Sequence, residues 1–223
     1  MSIFKNIGYN PFKQWLRKKP EPYEVLIECE IKDKDGKTVS IHTQKAHSYL
    51  FAYLVHIYFL FSCDWGGASH ITNPCNFVDT GGVTRNMYSA PYNSPVYTFP
   101  MYAPSADSTY GIVVGSVNTA NVLATNTMGT QITHGTGTGQ LQYGSTTIDY
   151  PYNPSGMIWQ SRLIRVFSNG TAGLITVREI GMIGKLATSA WYGLFCRDVI
   201  SVPQDVNPAQ TLTVRYIHKI TVS

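Results

Sequence analysis

Charge is what this chain has least of. Its 223 residues include 17 Lys and Arg and 13 Asp and Glu, so charged residues make up 13% of the sequence, against about 25% in a typical globular domain. The basic residues are also unevenly spread. Residues 1–47 hold nine of the 17, with six of the 13 acids, and between Ala46 and Ser161 the one basic side chain is Arg85. A nucleic-acid binder needs a basic stripe across its fold, and Arg17-Lys18-Lys19 is too short to supply one, so that class is set aside. Metal-ligand spacing is missing too. Cys29, Cys63, Cys75 and Cys196 form no Cys-x-x-Cys, and His42, His47, His56, His70, His134 and His218 contain no pair at helical spacing around a Glu. These read as reduced thiols of a protein made in a cytosol and as structural histidines, with no metal and no cofactor. No signal peptide is evident. The apolar run Tyr49–Cys63 spans 15 residues and includes His56, short of the roughly 20 that cross a membrane.

What is present is β pattern. Hydrophobic residues reach 43%, and there are 15 Tyr. From Thr211 to Val222 the chain alternates: Leu212, Val214, Tyr216, His218, Ile220 and Val222 share one face, and Thr213, Arg215, Ile217, Lys219 and Thr221 the other. Period two over this length predicts a half-buried strand. Tyr23, Val25, Ile27, Cys29 and Ile31 alternate in the same way, and Asp33-Lys34-Asp35-Gly36 then turns the chain back through Lys37–Thr43 as a hairpin. Further strands are predicted at Gly111–Val117, Gln140–Tyr143, Ile158–Phe167, Leu174–Ile180 and Gly193–Val199, with a turn at Asn169-Gly170 and a loop carrying Pro203 and Pro208. Strands at such spacing predict a mainly β fold, an antiparallel β-sandwich over residues 23–223.

Three segments depart from that pattern. Ser48 is placed to cap a helix at about 49–62 that is apolar nearly all round, hence a buried hydrophobic helix, with a pair of strands as the alternative. Residues 1–22 read as an extended N-terminal arm with a short helix, where Asn10 caps, Pro11 starts and Phe12, Trp15 and Leu16 share a face. A helix this short is unstable alone in water, so its aromatic face must dock on this domain or on a neighbour. Across residues 86–110, spaced prolines alternate with aromatics that include Tyr88, Tyr92, Tyr97 and Tyr102. A loop this long without periodicity tends to be functional, and Tyr offers wide contact area at low entropic cost.

Catalytic constellations are thin. His134-Gly-Thr-Gly-Thr-Gly139 lacks the following helix of a phosphate loop and reads as a hairpin tip. Arg178, Glu179, Arg197 and Asp198 are expected to form cross-strand ion pairs. A hydrolase would need a carboxylate pair such as Asp149 and Glu179 to meet in an open cleft. No nucleophile elbow stands out, and the expectation is that the chain is not an enzyme.

An ordered series of phrases carries a resemblance. It runs through Asp33-Lys-Asp-Gly-Lys-Thr-Val39, Ala46-His-Ser-Tyr-Leu50, Asp79-Thr-Gly-Gly-Val-Thr-Arg85, Gly111-Ile-Val-Val-Gly-Ser116 and Ile132-Thr-His-Gly-Thr-Gly-Thr-Gly-Gln-Leu-Gln-Tyr-Gly144. It continues through Arg165-Val-Phe-Ser-Asn169, Ile175-Thr-Val-Arg-Glu-Ile-Gly-Met182, Leu194-Phe-Cys-Arg-Asp-Val199 and Gln210-Thr-Leu-Thr-Val-Arg-Tyr216. From about Tyr23 onward the chain resembles a group of tailed-bacteriophage virion structural proteins. Asn86–Tyr110 is longer than the group's usual link, and residues 1–22 fall outside the resemblance. It implies a non-enzymatic subunit of the tail, neck or baseplate, made in the host bacterial cytoplasm and ending in the virion. The partners implied are its own copies and other virion proteins, with no nucleic acid and no membrane. The expected assembly interface is Phe12, Trp15 and Leu16 on the arm with Tyr88, Tyr92, Tyr97 and Tyr102 on the loop. The alternatives are a capsid decoration protein and a module binding a receptor or host-surface glycan.

Overall fold

The computed structural model describes residues 23–47, 49, 75–87, 100–153, 155–185 and 191–221. Among them are twelve strands and no helix. They are β1 (Tyr23–Lys32), β2 (Thr38–Lys45), β3 (Cys75–Val78), β4 (Thr84–Met87), β5 (Gly111–Gly115), β6 (Gln142–Tyr143), β7 (Thr147–Asp149), β8 (Tyr152–Asn153), β9 (Ile158–Ser168), β10 (Ile175–Lys185), β11 (Tyr192–Val206) and β12 (Thr211–Thr221). The larger sheet runs β2-β1-β12-β9, and β6, β7 and β8 pair in turn along the far side of β9. A second sheet runs β11-β10-β5, and β3 and β4 form a separate hairpin. Every strand pair is antiparallel.

The alternation of β1 and β12 fixes their register. Ile27 lies opposite Tyr216 and Cys29 opposite Val214, all fully buried, whereas Glu24 faces Lys219 and Glu28 faces Arg215 on the other side. Slipping either strand by one residue would bury the charged row, so the pattern admits one pairing. The outward row is bonded across strands: Lys219 Nζ to Glu24 at 2.8 Å, Arg215 to Glu28 at 2.7 Å and to Glu30 at 2.8 Å. The inward row enters one apolar core that draws on both sheets, with Ile27, Val214 and Phe167 from the larger and Val113, Ile180 and Phe195 from the smaller. Burying each such side chain stabilises by about 1.5–3 kcal/mol. The Tyr216 hydroxyl donates to the Ile180 carbonyl at 3.3 Å, tying the two sheets inside that core.

Two hairpins share one turn. In Asp33–Lys37 the aspartate carboxylate accepts from the amides of Asp35 and Lys37, and Gly36 sits at φ +78°. In Asp79–Val83 it accepts from Gly81 and Val83, and Gly82 sits at φ +78°. The left-handed residue must be glycine to avoid strain, and the aspartate satisfies amides the turn leaves open. The β3–β4 hairpin was not expected from the sequence, although it carries the same Asp-x-x-Gly signature as the first. Asn86 and Met87 therefore belong to β4 rather than to the Tyr/Pro loop.

Other boundaries shift for physical reasons. Asn169-Gly170 joins β9 to β10 in the other sheet, so it is a corner between sheets. Asn169 is buried, its amide nitrogen donates to Gly173 and Val206 carbonyls at 2.8 Å each, and its oxygen accepts from Thr171. The expected Pro203 loop is part of β11. Between the pairs Val177–Gln204 and Glu179–Val199, β11 has four residues against one on β10. Pro203 lies in this bulge, where no ladder donor is needed. Gln44 of β2 supports the bulge, donating to the Val199 carbonyl at 3.1 Å and accepting from the Ser201 amide at 2.8 Å. Of the helix expected at 49–62, residues 50–62 lie outside the described residues. Tyr49, placed at its start, instead forms an antiparallel bridge with Cys196 of β11.

Candidate functional site

The outer face of the three-stranded sheet is covered by chain rather than left open, and a buried ion pair holds the cover down. Glu179 of β10 is fully buried, and Arg197 of β11 lies 2.5 Å from it at 4% side-chain exposure. The carboxylate also accepts from the amides of Gly129 and Thr130, at 3.3 and 3.0 Å, and Arg197 donates to Asn121 at 2.6 Å. Residues 121–130 are thereby fastened across β10 and β11. Gly181 leaves room for Met128 above it, since a Cβ there would lie 2.4 Å from the Met128 sulfur.

A second guanidinium performs the same task with different partners. Arg165 of β9 shares its phase with Leu163 and Phe167 and is fully buried. It donates to the carbonyls of Gly144 (2.8 Å), Tyr110 and Ile112 (2.9 Å each), Pro104 (3.2 Å) and Asp107. Its charge stacks 4.7 Å from the Tyr143 ring centre. Burial pushes its pKa down from the ordinary value. Residues 104–112 are thus sewn to the larger sheet without a carboxylate.

Between these two fastened segments lies a cleft of about 400 Å³, lined by Thr80, Ser108, Thr109, Thr127, Met128, Gln131, Thr133, Ile183 and Tyr192. Its walls are tied together. The Thr80 amide donates to the Tyr192 carbonyl at 2.9 Å, and Asn126 donates to the Asp79 carbonyl at 2.9 Å. The Tyr192 ring is stacked on Tyr110 with centres 6.3 Å apart. Asp79, which turns the adjoining hairpin, loses solvation by burial. Bonds from Val83 and Arg85 outweigh that loss and hold its carboxyl below the usual range. Arg85 in turn stacks on Trp191 at 4.7 Å.

Of the expected site residues, Tyr102 alone is among the described residues. Phe12, Trp15, Leu16, Tyr88, Tyr92 and Tyr97 lie outside the described residues, and Tyr102 is 58% exposed on the segment before β5. The hydrolase pair does not share a cleft lining. Asp149 is held on the larger sheet by Arg162 at 2.5 Å, and Glu179 is sealed against Arg197 in the smaller one. The Ser201 hydroxyl lies 3.2 Å from His42 Nε2. However, Gln44 Oε1 accepts from both the amide and the hydroxyl of Ser201, so this trio holds the β11 bulge. Burial pushes the Cys29 thiol up to about 12. It also raises that of Cys196, beside Asp198, so neither supplies thiolate at neutral pH. His134 accepts from the Tyr143 amide at 3.0 Å, and Gln140 caps the glycine tip through the Gly137 amide. The cleft residues come from five separate stretches of chain, and no spacing rule would have collected them.

Comparison of the chain with protein-family models, with curated proteins and with solved structures returned no match.

Proposed function

We propose that this chain is a non-enzymatic structural subunit of a tailed-phage virion. It folds as a β-sandwich with residues 1–22 as its arm, and assembles with its own copies and with other virion proteins in the tail, neck or baseplate. One observation supports this reading above others: among the described residues, carboxylates and guanidiniums that could run acid–base chemistry are spent on architecture. Glu179 and Arg197 clamp a covering segment, Asp79 builds a turn, and Asp149 pairs with Arg162. Asp198 accepts from the His47 amide at 2.8 Å and from the Cys196 thiol at 2.9 Å. The phrases that resemble virion proteins coincide with these keystones, since they contain Asp79, Arg165, Asn169, Glu179, Arg197 and Asp198. Low charge and abundant Tyr suit surfaces that are covered by neighbours.

Light scattering on the purified chain, full-length and lacking residues 1–22, tests the reading. A discrete oligomer that falls apart on truncation is the expected result. A monomer in both forms, together with absence of the chain from purified particles, would overturn it. Capsid decoration is the alternative placement, to be separated by labelling the chain in intact particles.

A further inference from the structure

We infer that the cleft between the loop segments and the three-stranded sheet binds a neutral, hydroxyl-bearing sugar ring, as presented by an uncharged glycan. The inference goes beyond assembly and stands without it. It starts from the lining. Thr80, Ser108, Thr109, Thr127, Gln131 and Thr133 supply polar groups, Met128, Ile183 and Tyr192 supply apolar surface, and none of the nine is charged. Of the charges nearby, Glu179 is closed on Arg197, the Lys185 ammonium lies 5.3 Å over the Tyr110 ring, and Asp107 accepts from the Thr109 amide and hydroxyl at 2.8 and 2.5 Å. None of the lining residues offers an opposite charge to a phosphate, carboxylate or amine, which would lose hydration on entering.

The polar groups are sorted into donors and acceptors by the bonds they already make. Thr109 spends its proton on Asp107 and can only accept from a ligand. Thr133 already accepts from Gln140 Nε2 at 3.1 Å and keeps its proton to donate. Gln131 uses its amide nitrogen on the Ser108 carbonyl, which leaves its carbonyl oxygen as the accepting end. A ligand that satisfies all three must donate and accept over a short distance, and adjacent hydroxyl groups do both. The apolar part suits the C–H face of a sugar. Ile183 and Met128 are buried at 3% and 8% exposure, and the Tyr192 ring is held by its stacking on Tyr110. The volume of about 400 Å³ lies within the range of about 300–1,000 Å³ usual for small-ligand sites. Because both walls are fastened by the buried guanidiniums, little ordering is left for binding to complete.

The test is saturation-transfer NMR on the full-length chain. The neutral probes are glucose, galactose, rhamnose, N-acetylglucosamine and N-acetylgalactosamine, with glucuronic acid and glucosamine as charged counterparts. At least one neutral sugar is expected to give saturation transfer, with shift changes centred on the Gln131 side-chain amide and the Tyr192 ring and none from the charged pair. Thr127→Val with Thr133→Val, which removes two hydroxyls at nearly constant shape, is expected to weaken binding about tenfold, at about 1 kcal/mol per lost bond or less. Silence from every neutral sugar, shift changes centred elsewhere, equal binding of the charged pair, or unchanged affinity in the double variant would each overturn the inference. If the variant fails to fold, the shift map on the unaltered chain decides.

Discussion

The two buried arginines solve one problem in two ways. Both cross the apolar phase of a strand, and both pin a non-strand segment to a sheet. Arg197 is matched charge for charge by Glu179, whereas Arg165 is matched by five backbone carbonyls. The difference shows in what each residue commits. A charge pair can in principle be replaced by two apolar side chains, because removing both partners leaves little unsatisfied. A guanidinium surrounded by carbonyls cannot be replaced in that way, because its acceptors belong to the main chain and remain. The Arg165 segment is therefore the less replaceable of the two.

That contrast predicts an order of damage. Arg165→Met should cost about 5 kcal/mol or more, since several buried acceptors at about 1–3 kcal/mol each lose their donor and only some can recruit water. Arg165→Lys should recover little, because one ammonium cannot reach carbonyls spread around a planar fork. Urea denaturation measures both. A loss under about 2 kcal/mol for Arg165→Met would mean that solvent reaches these carbonyls freely and that the contrast is void. Glu179→Gln leaves a guanidinium at 4% exposure without its counter-charge and should cost about 3–5 kcal/mol. Adding Arg197→Met should return much of that, because Gln can still accept from the Thr130 amide. A double variant no better than the single would remove the distinction between the two arginines.

A gentler probe tests how closely the pair is walled. A Cβ on Gly115 would lie 2.2 Å from Glu179 Oε1 and 2.6 Å from its Cγ, with neither a positive φ nor an open direction to relieve it. Gly115→Ala should therefore cost about 3 kcal/mol, the upper end of the usual overpacking penalty. Gly82→Ala, at φ +78° with nothing within 4 Å of the added carbon, should cost only the backbone strain of about 1–2 kcal/mol. If both cost the same, packing around Glu179 is looser than the distances state. Thermal melts of the two variants side by side provide the measurement.

The frame of the fold was legible because it rests on period-two alternation, which burial enforces over β1, β9, β10 and β12. The β3–β4 hairpin was missed because its strands are four residues each, too short for a periodic signal, although Asp79-Thr-Gly-Gly82 carried the same turn chemistry as Asp33–Gly36. β11 was cut short at Val199 because Pro203 reads as a breaker until a bulge accommodates it. The keystones left a trace that was not used: Arg165 sits in phase with Leu163 and Phe167, and a charged residue on the apolar phase of a strand signals a buried network. The cleft left no trace, since Thr80, Thr109, Thr133, Ile183 and Tyr192 meet only through the sheet order. Of Arg178, Glu179, Arg197 and Asp198, expected to form cross-strand ion pairs, Glu179 and Arg197 pair at 2.5 Å, whereas Asp198 accepts from the His47 amide and the Cys196 thiol.

The smallest effect extends the comparison to a titratable group at a sheet end. His218 of β12 lies opposite Val25 and Ser161, and the Tyr23 hydroxyl lies 2.8 Å from its Nδ1. Burial lowers its pKa from the ordinary 6.5, so the folded chain holds the imidazole neutral where the unfolded chain would protonate it. Its contribution is therefore fully present above pH 6.5 and is lost as pH falls through the depressed folded value. Between pH 7.5 and 5.5 the unaltered chain should lose about 2 °C more in Tm than His218→Gln, which keeps a hydrogen-bonding group for Tyr23 but does not titrate. The carboxylates held low by their partners, Glu30, Asp79 and Asp149, lose their contributions only as pH falls further, below the ordinary carboxylate range. Those carboxylates are common to both chains and cancel in the difference, so parallel losses of Tm in the two chains between pH 7.5 and 5.5 would remove His218 from the account.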